Sequence, residues 1–184
     1  MLPTAHVEYT WAVANALQRS SSDPRWKDLD YRLLALVATL PDLIDKPLAV
    51  FVFPDSQAAL LHGHTLLLHL IVWAATGASG QLHRGLPYLL ALSGHLVADR
   101  MWGHGQTLLW PLRGRRFHRW KHVGSPRAFL QAYASIIRSE RKLLAFEALG
   151  LGLLAWVLAD RRLYRRRRLK RFLRTGKVGP ADGE

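Results

Sequence analysis

The stretch 58–75, AALLHGHTLLLHLIVWAA, sets histidines inside one of the most apolar parts of the chain. Two other stretches do the same with acids: 36–53 reads LVATLPDLIDKPLAVFVF and 86–102 reads LPYLLALSGHLVADRMW. Long apolar runs with little alternation of apolar and polar residues favour helices over strands. A carboxylate in such surroundings is costly unless a cation or hydrogen bonds compensate it. We therefore predict neighbouring helices that share one compensating group, and a metal ion is the obvious one.

The apolar periodicity predicts five main helices, at about 4–19, 30–46, 56–77, 85–102 and 126–160. The fold class is therefore all-α: a membrane-associated bundle of about five helices with a metal site between helices. The 184 residues suffice for one compact domain. Within it we distinguish a metal-site helical core (1–125), an interfacial or transmembrane C-terminal helix (126–160) and a basic, partly disordered tail (161–184).

The composition narrows the chemistry of any site. The chain has 26 Lys and Arg against 13 Asp and Glu, a net charge of +13, and no cysteine. The lack of cysteine excludes a disulfide framework, a cysteine-type zinc finger and a thiol nucleophile. Any bound metal must therefore use His, Asp and Glu. The basic surface attracts phosphate groups, either of nucleic acid or of anionic lipid.

The apolar helices indicate a membrane protein. A membrane-spanning helix needs roughly 20 mainly apolar residues, and the third to fifth predicted helices come close to that length. We expect a multi-pass protein of the inner cell membrane, with its basic tail on the cytoplasmic side by the positive-inside rule; a soluble helical bundle is the alternative. The basic segments 115–122 and 161–172 fit anionic lipid headgroups better than nucleic acid, because apolar helices adjoin them.

Spacing pairs the buried polar residues by helix face. His95 and Asp99 are four apart and Asp42 and Asp45 three apart, so each pair shares one face of its helix. His64 lies in mid-helix and, being two residues from His62, faces a different side. A His and Asp set suits zinc, with manganese or iron as further options. The alternatives are a His–Asp hydrogen bond within one helix, and helix-end capping with an ion pair to Lys46, which suits Asp45 better than Asp42.

Other histidines are given ordinary roles. We expect His69 and His83 to be hydrogen-bonded core residues. His104, in a glycine-flanked loop just after Asp99, is a ligand or acid at the mouth of the site or a plain loop residue, and we favour the latter. From the residues alone His6 is a surface residue.

Several short elements together resemble a known family. These are T-A-H at 4–6, L-P-D-x-x-D at 40–45, H-T at 64–65, G-H-x-x-x-D at 94–99 and L-L-W-P at 108–111. In order and spacing the chain is similar, over about residues 1–112, to the YdjM-like family of membrane-bound, metal-dependent hydrolases. That family is grouped with the zinc-dependent phospholipase C and single-strand nuclease superfamily. One element departs: the family's H-R-G-x-T-H-S lacks its H-R-G part here, where 56–65 reads SQAALLHGHT.

The resemblance implies an all-α bundle with a metal centre in its core and phosphoester hydrolysis as the activity. Carried over by position, it implies a ligand set that includes His6 and prefers His64 to His62. The predicted metal ligands are His6, Asp42, Asp45, His64, His95 and Asp99.

The predicted reaction is hydrolysis of a phosphoester by a water that a divalent metal, zinc by expectation, activates. Asp45 and Asp42 are the predicted catalytic carboxylates, with Asp45 as general base. Two alternatives stay open: a non-enzymatic membrane protein with a structural metal site or an ion path, and a basic helical protein that binds nucleic acid.

Overall fold

The computed structural model describes residues 1–53, 58–119 and 125–179, and within these ranges the chain is helical and contains no strand. The helices are α1 (Pro3–Ser20), α2 (Pro24–Lys27), α3 (Tyr31–Pro47), α4 (Leu66–Ala78), α5 (Leu82–Ala98), α6 (Gly105–Leu108), α7 (Pro126–Ser139), α8 (Arg141–Asp160) and α9 (Arg166–Thr175). A π-helical turn follows α3 at Leu48–Val52, and 3-10 turns occupy His62–His64 and Met101–His104. The predicted all-α fold class is confirmed.

The long helices form a bundle in which α1 packs against α3 and α8, and α5 packs against α3 and α4. Its main core joins α1, α3, α5, α8 and α9 through buried side chains: Ala12, Ala14, Leu29, Tyr31, Leu34, Ala91, Val157, Leu163 and Phe172. The contacts between α1 and α8 fix their relative direction. Leu2 N donates to Glu147 Oε1 at 2.9 Å, and Asn15 Nδ2 donates to Asp160 Oδ2 at 3.0 Å. Because both helices advance between these two contacts, they run in the same direction.

The third helix begins later than predicted. We expected a helix over 56–77, but α4 starts at Leu66, and His62–His64 forms a 3-10 turn before it. Thr65 caps α4 by accepting a hydrogen bond from Leu68 N at 3.2 Å. The segment ahead of it cannot continue the helix, because the Leu61 and Gly63 amides donate to Asp45 on α3. A tertiary contact therefore overrides the apolar pattern here.

The fifth predicted helix, 126–160, is two helices. The chain leaves the helical region at Glu140 (φ −99°, ψ 86°), so α7 ends at Ser139 and α8 starts at Arg141. Within the described parts of the chain, α8 is the helix whose length and composition could cross a membrane. Part of the predicted tail is helical: α9 packs back on the bundle through Phe172, and residues 180–184 lie outside the described residues.

Candidate metal centre

Four side chains converge at one end of the bundle. One ligand atom from each of Asp42, His64, His95 and Asp99 lies within 4.8 Å of every other. We call these residues the ligand group. Asp42 comes from α3, His64 from the 3-10 turn, and His95 from the last turn of α5, while Asp99 is the residue that ends α5. The side chain of Asp99 is 12% exposed, and the other three residues are almost fully buried.

His95 is oriented by α3. Its Nδ1 lies 2.7 Å from the carbonyl oxygen of Ala38, an acceptor only, so Nδ1 carries the proton and donates it. The neutral ring then has an unprotonated Nε2. This atom faces Asp99 Oδ2 at 3.4 Å and Asp42 Oδ1 at 3.9 Å.

His64 is oriented in the same way by a carboxylate. Its Nδ1 lies 2.7 Å from Asp45 Oδ2, and its Nε2 lies 3.6 Å from both Asp42 Oδ1 and Asp99 Oδ2. A histidine whose Nδ1 is held by a carboxylate is the usual arrangement behind a metal ion, since it fixes the ring and makes Nε2 more basic. Burial disfavours the charged ring, but the hydrogen bonds with Asp45 and Asp99 and the carboxylate of Asp42 outweigh it and raise the pKa of His64 to about 9.

The two imidazoles meet nitrogen to nitrogen. His95 Nε2 and His64 Nε2 are 3.1 Å apart, while each ring's Nδ1 is already committed to an acceptor. Two nitrogens this close need a proton or a cation between them: without a metal the proton that the raised pKa keeps on His64 lies there, and a bound cation would take its place. Ligands at about 2.0–2.1 Å from one ion at tetrahedral angles lie about 3.3–3.4 Å apart. The separations of 3.1, 3.4 and 3.6 Å within the group are near that spacing, whereas the 3.9 Å from His95 Nε2 to Asp42 Oδ1 is wider.

Asp45 lies behind the ligand group. Its two oxygens accept hydrogen bonds from Leu61 N at 2.5 Å, from Gly63 N at 2.7 Å and from the ring of His64. The carboxylate is fully buried, and these donors compensate its charge. Asp45 therefore holds the 3-10 turn in place and orients the ring of His64. The predicted catalytic role of this residue stays a prediction.

Asp42 divides its oxygens between two tasks. Oδ2 accepts from Lys46 Nζ at 2.5 Å, one turn further along α3, while Oδ1 faces the nitrogens of the ligand group. The sequence allowed either a ligand or an ion pair with Lys46. The structure shows that one carboxylate can serve both.

His6 adjoins the ligand group but is not part of it. Its ring stacks on that of His95 with centroids 3.9 Å apart, and its Nε2 lies 3.2 Å from Asp99 Oδ1. The same oxygen accepts from the Met1 amino group at 2.6 Å. Among the described residues, His6 Nε2 makes no well-directed hydrogen bond although it is buried. His6 is thus an interior residue beside the site, whereas the residues alone indicated a surface position; the ligand role that the resemblance implied for it stays a prediction.

The imidazoles around Asp99 affect its acidity. Burial alone would raise the pKa of this carboxyl, but the rings of His6, His64 and His95 hold it well below its usual range. Asp99 is consequently an anion in the folded protein, as a metal ligand must be.

The close approach of Gly63 to α3 explains how the turn reaches the site. A Cβ at this position would lie 2.7 Å from the carbonyl oxygen of Pro41 and 2.9 Å from Asp45 Oδ1. Only glycine fits such a gap. Pro41 itself lacks an N–H and loosens α3 at this point. The H-G-H turn therefore lies directly on the proline-bent part of α3.

The structure also separates the other histidines. His62 packs edge-on against Trp110 and Phe117, with ring centroids 5.0 and 4.9 Å away, and so turns from the ligand group. His69 is buried, with Nε2 3.1 Å from the Gly63 carbonyl oxygen, as expected of a hydrogen-bonded core residue. His83 is exposed on the surface, and the predicted core position for it is wrong.

A cavity of about 260 Å³ borders the ligand group on the side of Asp42 and Asp99. Its polar lining also includes Lys46 and two further imidazoles, those of His104 and His118, whose rings are 4.7 Å apart. Burial lowers the pKa of His104. The rest of the wall is largely apolar: Met1, Leu2, Ala59, Leu60, Ile136 and Leu143. The sequence had favoured a plain loop role for His104; its position five residues after Asp99 was the available signal.

No curated protein and no solved structure matches the chain. One family model does, that of the YdjM inner membrane protein, and it matches residues 1–164. The matched region contains the whole ligand group, the residues that orient it, and α8. The chain therefore belongs to the YdjM inner membrane protein family.

Proposed function

We propose that this protein is a membrane-embedded, metal-dependent hydrolase, with Asp42, His64, His95 and Asp99 as the ligands of a divalent ion. The observation that carries the proposal is the pair of facing Nε2 atoms 3.1 Å apart, each on a ring whose Nδ1 is hydrogen-bonded elsewhere. Zinc is the expected ion for two imidazoles and two carboxylates, with manganese or iron as alternatives.

The reaction we propose is hydrolysis of a phosphoester. When bound, a divalent cation supplies Lewis acidity: it lowers the pKa of a water and offsets the negative charge that develops at phosphorus. Lys46 lines the cavity beside Asp42 and adds a positive charge where an anionic phosphate would enter. The four ligands are assigned from the geometry. In this assignment Asp45 orients His64 through a hydrogen bond, and His6 supports His95 by ring stacking.

The reaction also needs a general base to take a proton from the attacking water. Asp42 and Asp45 are the candidate carboxylates from the sequence. Asp45 has hydrogen bonds to both oxygens, while Asp42 accepts from Lys46 through Oδ2 and faces the group with Oδ1, so Asp42 would act as the base only through an oxygen that does not bind the ion. Asp99 is also adjacent to the cavity.

A second function has an observation of its own. Four protein ligands fill a tetrahedron, the arrangement typical of a structural zinc site, whereas catalytic sites usually keep one position for water. A non-enzymatic membrane protein with a structural metal, or with an ion path, would satisfy the same geometry. The cavity against Asp42 and Asp99 favours the hydrolase, because a structural site needs no such access.

For its setting in the membrane we propose several spans. In the described structure α8 alone meets the length of a span, and α4, with 13 residues, is only about 20 Å long. Large apolar side chains on α3 and α4 are nevertheless exposed, among them Leu36 at 50% and Leu70 at 56%. Lipid contact would remove these side chains from water. Anionic headgroups are the proposed neighbours of the basic segments, and we place the basic tail in the cytoplasm.

The test uses His62 as a matched control for His64. We expect the purified protein to contain about one zinc, and the His64→Gln variant to lose it and to lose hydrolysis of bis(p-nitrophenyl) phosphate. The His62→Gln variant, two residues away and turned from the group, should keep both. Metal content is measured by elemental analysis. Retention of metal by His64→Gln would refute the ligand assignment, and tight metal binding without hydrolysis would favour the structural alternative.

A further inference from the structure

The outward face of α9 is strongly basic. The sequence from Arg161 to Lys177 contains no acidic residue. The exposed cations in and next to the helix are Arg165, Arg166, Arg167, Lys170, Arg171, Arg174 and Lys177. Leu169 and Leu173 lie among them and are 41% and 62% exposed. Cations beside exposed leucines are typical of a helix that lies in a membrane interface.

α9 is nevertheless fixed to the bundle. Phe172 points inward, with its ring 5.5 Å from that of Trp11, and only 7% of it is exposed. Tyr31 N donates to the Gly176 carbonyl oxygen at 2.8 Å just beyond the helix end. The basic face is therefore preformed, and binding through it would not require the helix to fold first.

The ends of α8 relate this face to the metal centre. Leu143, near the start of α8, lines the cavity that borders Asp42 and Asp99. Asp160 ends α8, and α9 begins six residues later. The 17 helical steps from Leu143 to Asp160 rise about 26 Å, close to the roughly 30 Å of a bilayer core.

We propose that α9 binds the anionic headgroups of the leaflet at the carboxyl end of α8, and that the metal centre lies at the opposite surface of the membrane. The inference rests on the membrane placement of α8 in the proposed function, though not on hydrolysis. The α9 end has seven exposed cations, against Arg113, Arg115, Arg116 and Arg119 in the described segment at the other end, so the positive-inside rule places the α9 surface in the cytoplasm. The cavity then opens on the other side, so its substrate is presented outside the cytoplasm.

The first test is the sidedness of two labels, which is simple because the chain has no cysteine. Leu112→Cys reports the segment between His104 and His118, and Tyr164→Cys reports the start of the tail; the native side chains are 88% and 69% exposed. With a membrane-impermeant maleimide, we expect Leu112→Cys to react in spheroplasts and Tyr164→Cys to react in inverted vesicles. Reaction of both from the same side would overturn the proposal.

The second test concerns the lipid. The full-length Leu173→Cys variant, labelled with an environment-sensitive dye, is reconstituted in phosphatidylcholine vesicles with or without phosphatidylglycerol. We expect a blue shift of emission that needs phosphatidylglycerol and is lost at high salt, since salt screens exposed charges. Leu151→Cys, 59% exposed on α8, should be blue-shifted in both lipids. Its failure to shift would refute the membrane placement of α8, on which the lipid contact of α9 and the sidedness of the metal centre both rest.

A matched pair of charge variants isolates α9. In the labelled Leu173→Cys variant, the added substitutions Arg166→Gln and Lys170→Gln should abolish the blue shift of emission that depends on phosphatidylglycerol. Removing the same charge by Arg113→Gln and Arg116→Gln, at exposed positions near the metal centre, should leave it unchanged. Equal losses from both pairs, or a shift caused by duplex DNA and not by phosphatidylglycerol, would overturn the proposal. Metal content enters none of these measurements, so they are independent of the hydrolase proposal.

Discussion

Adding one methyl group at Gly63 tests whether the H-G-H turn holds the metal centre. The new Cβ would lie 2.7 Å from Pro41 O, 2.9 Å from Asp45 Oδ1 and 3.0 Å from Pro41 Cα. Two of these atoms are backbone, so the turn must move. Overpacking of this kind costs about 1–3 kcal/mol. For a chain of this size each kcal/mol lowers the melting temperature by roughly 2–4 °C.

The displacement should also reach the ligands. Gly63 N donates to Asp45, and Asp45 orients His64, so a shift of the turn disturbs both contacts. Loss of such support typically lowers metal affinity about 10–100-fold. We therefore expect the Gly63→Ala variant to show a lower melting temperature and weaker zinc binding, measured by thermal scanning and by competition with a chromophoric chelator.

Gly94 provides the control within the same bundle. It lies inside α5, one residue before His95, and a Cβ there would have no atom within 4 Å. Alanine in a helix interior is favoured over glycine by about 0.5–1 kcal/mol. The Gly94→Ala variant should therefore keep its zinc affinity and melt at the wild-type temperature or above. Wild-type stability and affinity in Gly63→Ala would refute the argument from close approach.

Three further substitutions test the supports of the bundle and the site. Asp45→Asn should lower zinc affinity about 10–100-fold in the same chelator competition, since the amide orients His64 less well; an unchanged affinity would contradict the role given to Asp45. Asn15→Ala removes the partner of the buried Arg161 Nε and should cost about 1–3 kcal/mol in denaturant unfolding; a loss below 0.5 kcal/mol, on the order of a surface change, would argue against this network. Gly150→Ala places a Cβ 2.2 Å from Glu8 Oε2 and 3.4 Å from Tyr9 Cε2 and should lower the melting temperature, while Gly152→Ala, with no atom within 4 Å, should not; equal effects would show that the buried Glu8 side chain turns aside without cost.

Local spacing predicted part of the site. The four-residue step from His95 to Asp99 places both side chains on one turn, and their nearest atoms are 3.4 Å apart. The three-residue step from Asp42 to Asp45 likewise predicted correctly that both acids lie on one side of one helix. It could not tell which acid faces the ligands, because the answer depends on amides of a segment 16 to 18 residues away.

Other features depend on contacts that a single sequence does not reveal. The late start of α4 follows from the bonds of Leu61 and Gly63 to Asp45, which the apolar pattern of 58–75 conceals. The helix α9 has one inward aromatic, Phe172, within a run of cations that reads as a solvated tail. The bundle class was predictable because long apolar runs have few other solutions, whereas helix ends were set by tertiary hydrogen bonds.

The L-P-D-x-x-D element of α3 supports the H-G-H turn and fixes its position. Pro41 provides the loosened backbone against which Gly63 lies, Asp42 supplies an oxygen to the ligand group, and Asp45 binds the turn from behind. Pro41, Asp42 and Asp45 therefore have different tasks, although the sequence predicted both acids as ligands, with Asp45 as general base. This division also accounts for His62, which the turn directs at Trp110. The ligand group is assembled although the H-R-G part is absent, so the departure from the family pattern leaves the candidate metal centre intact.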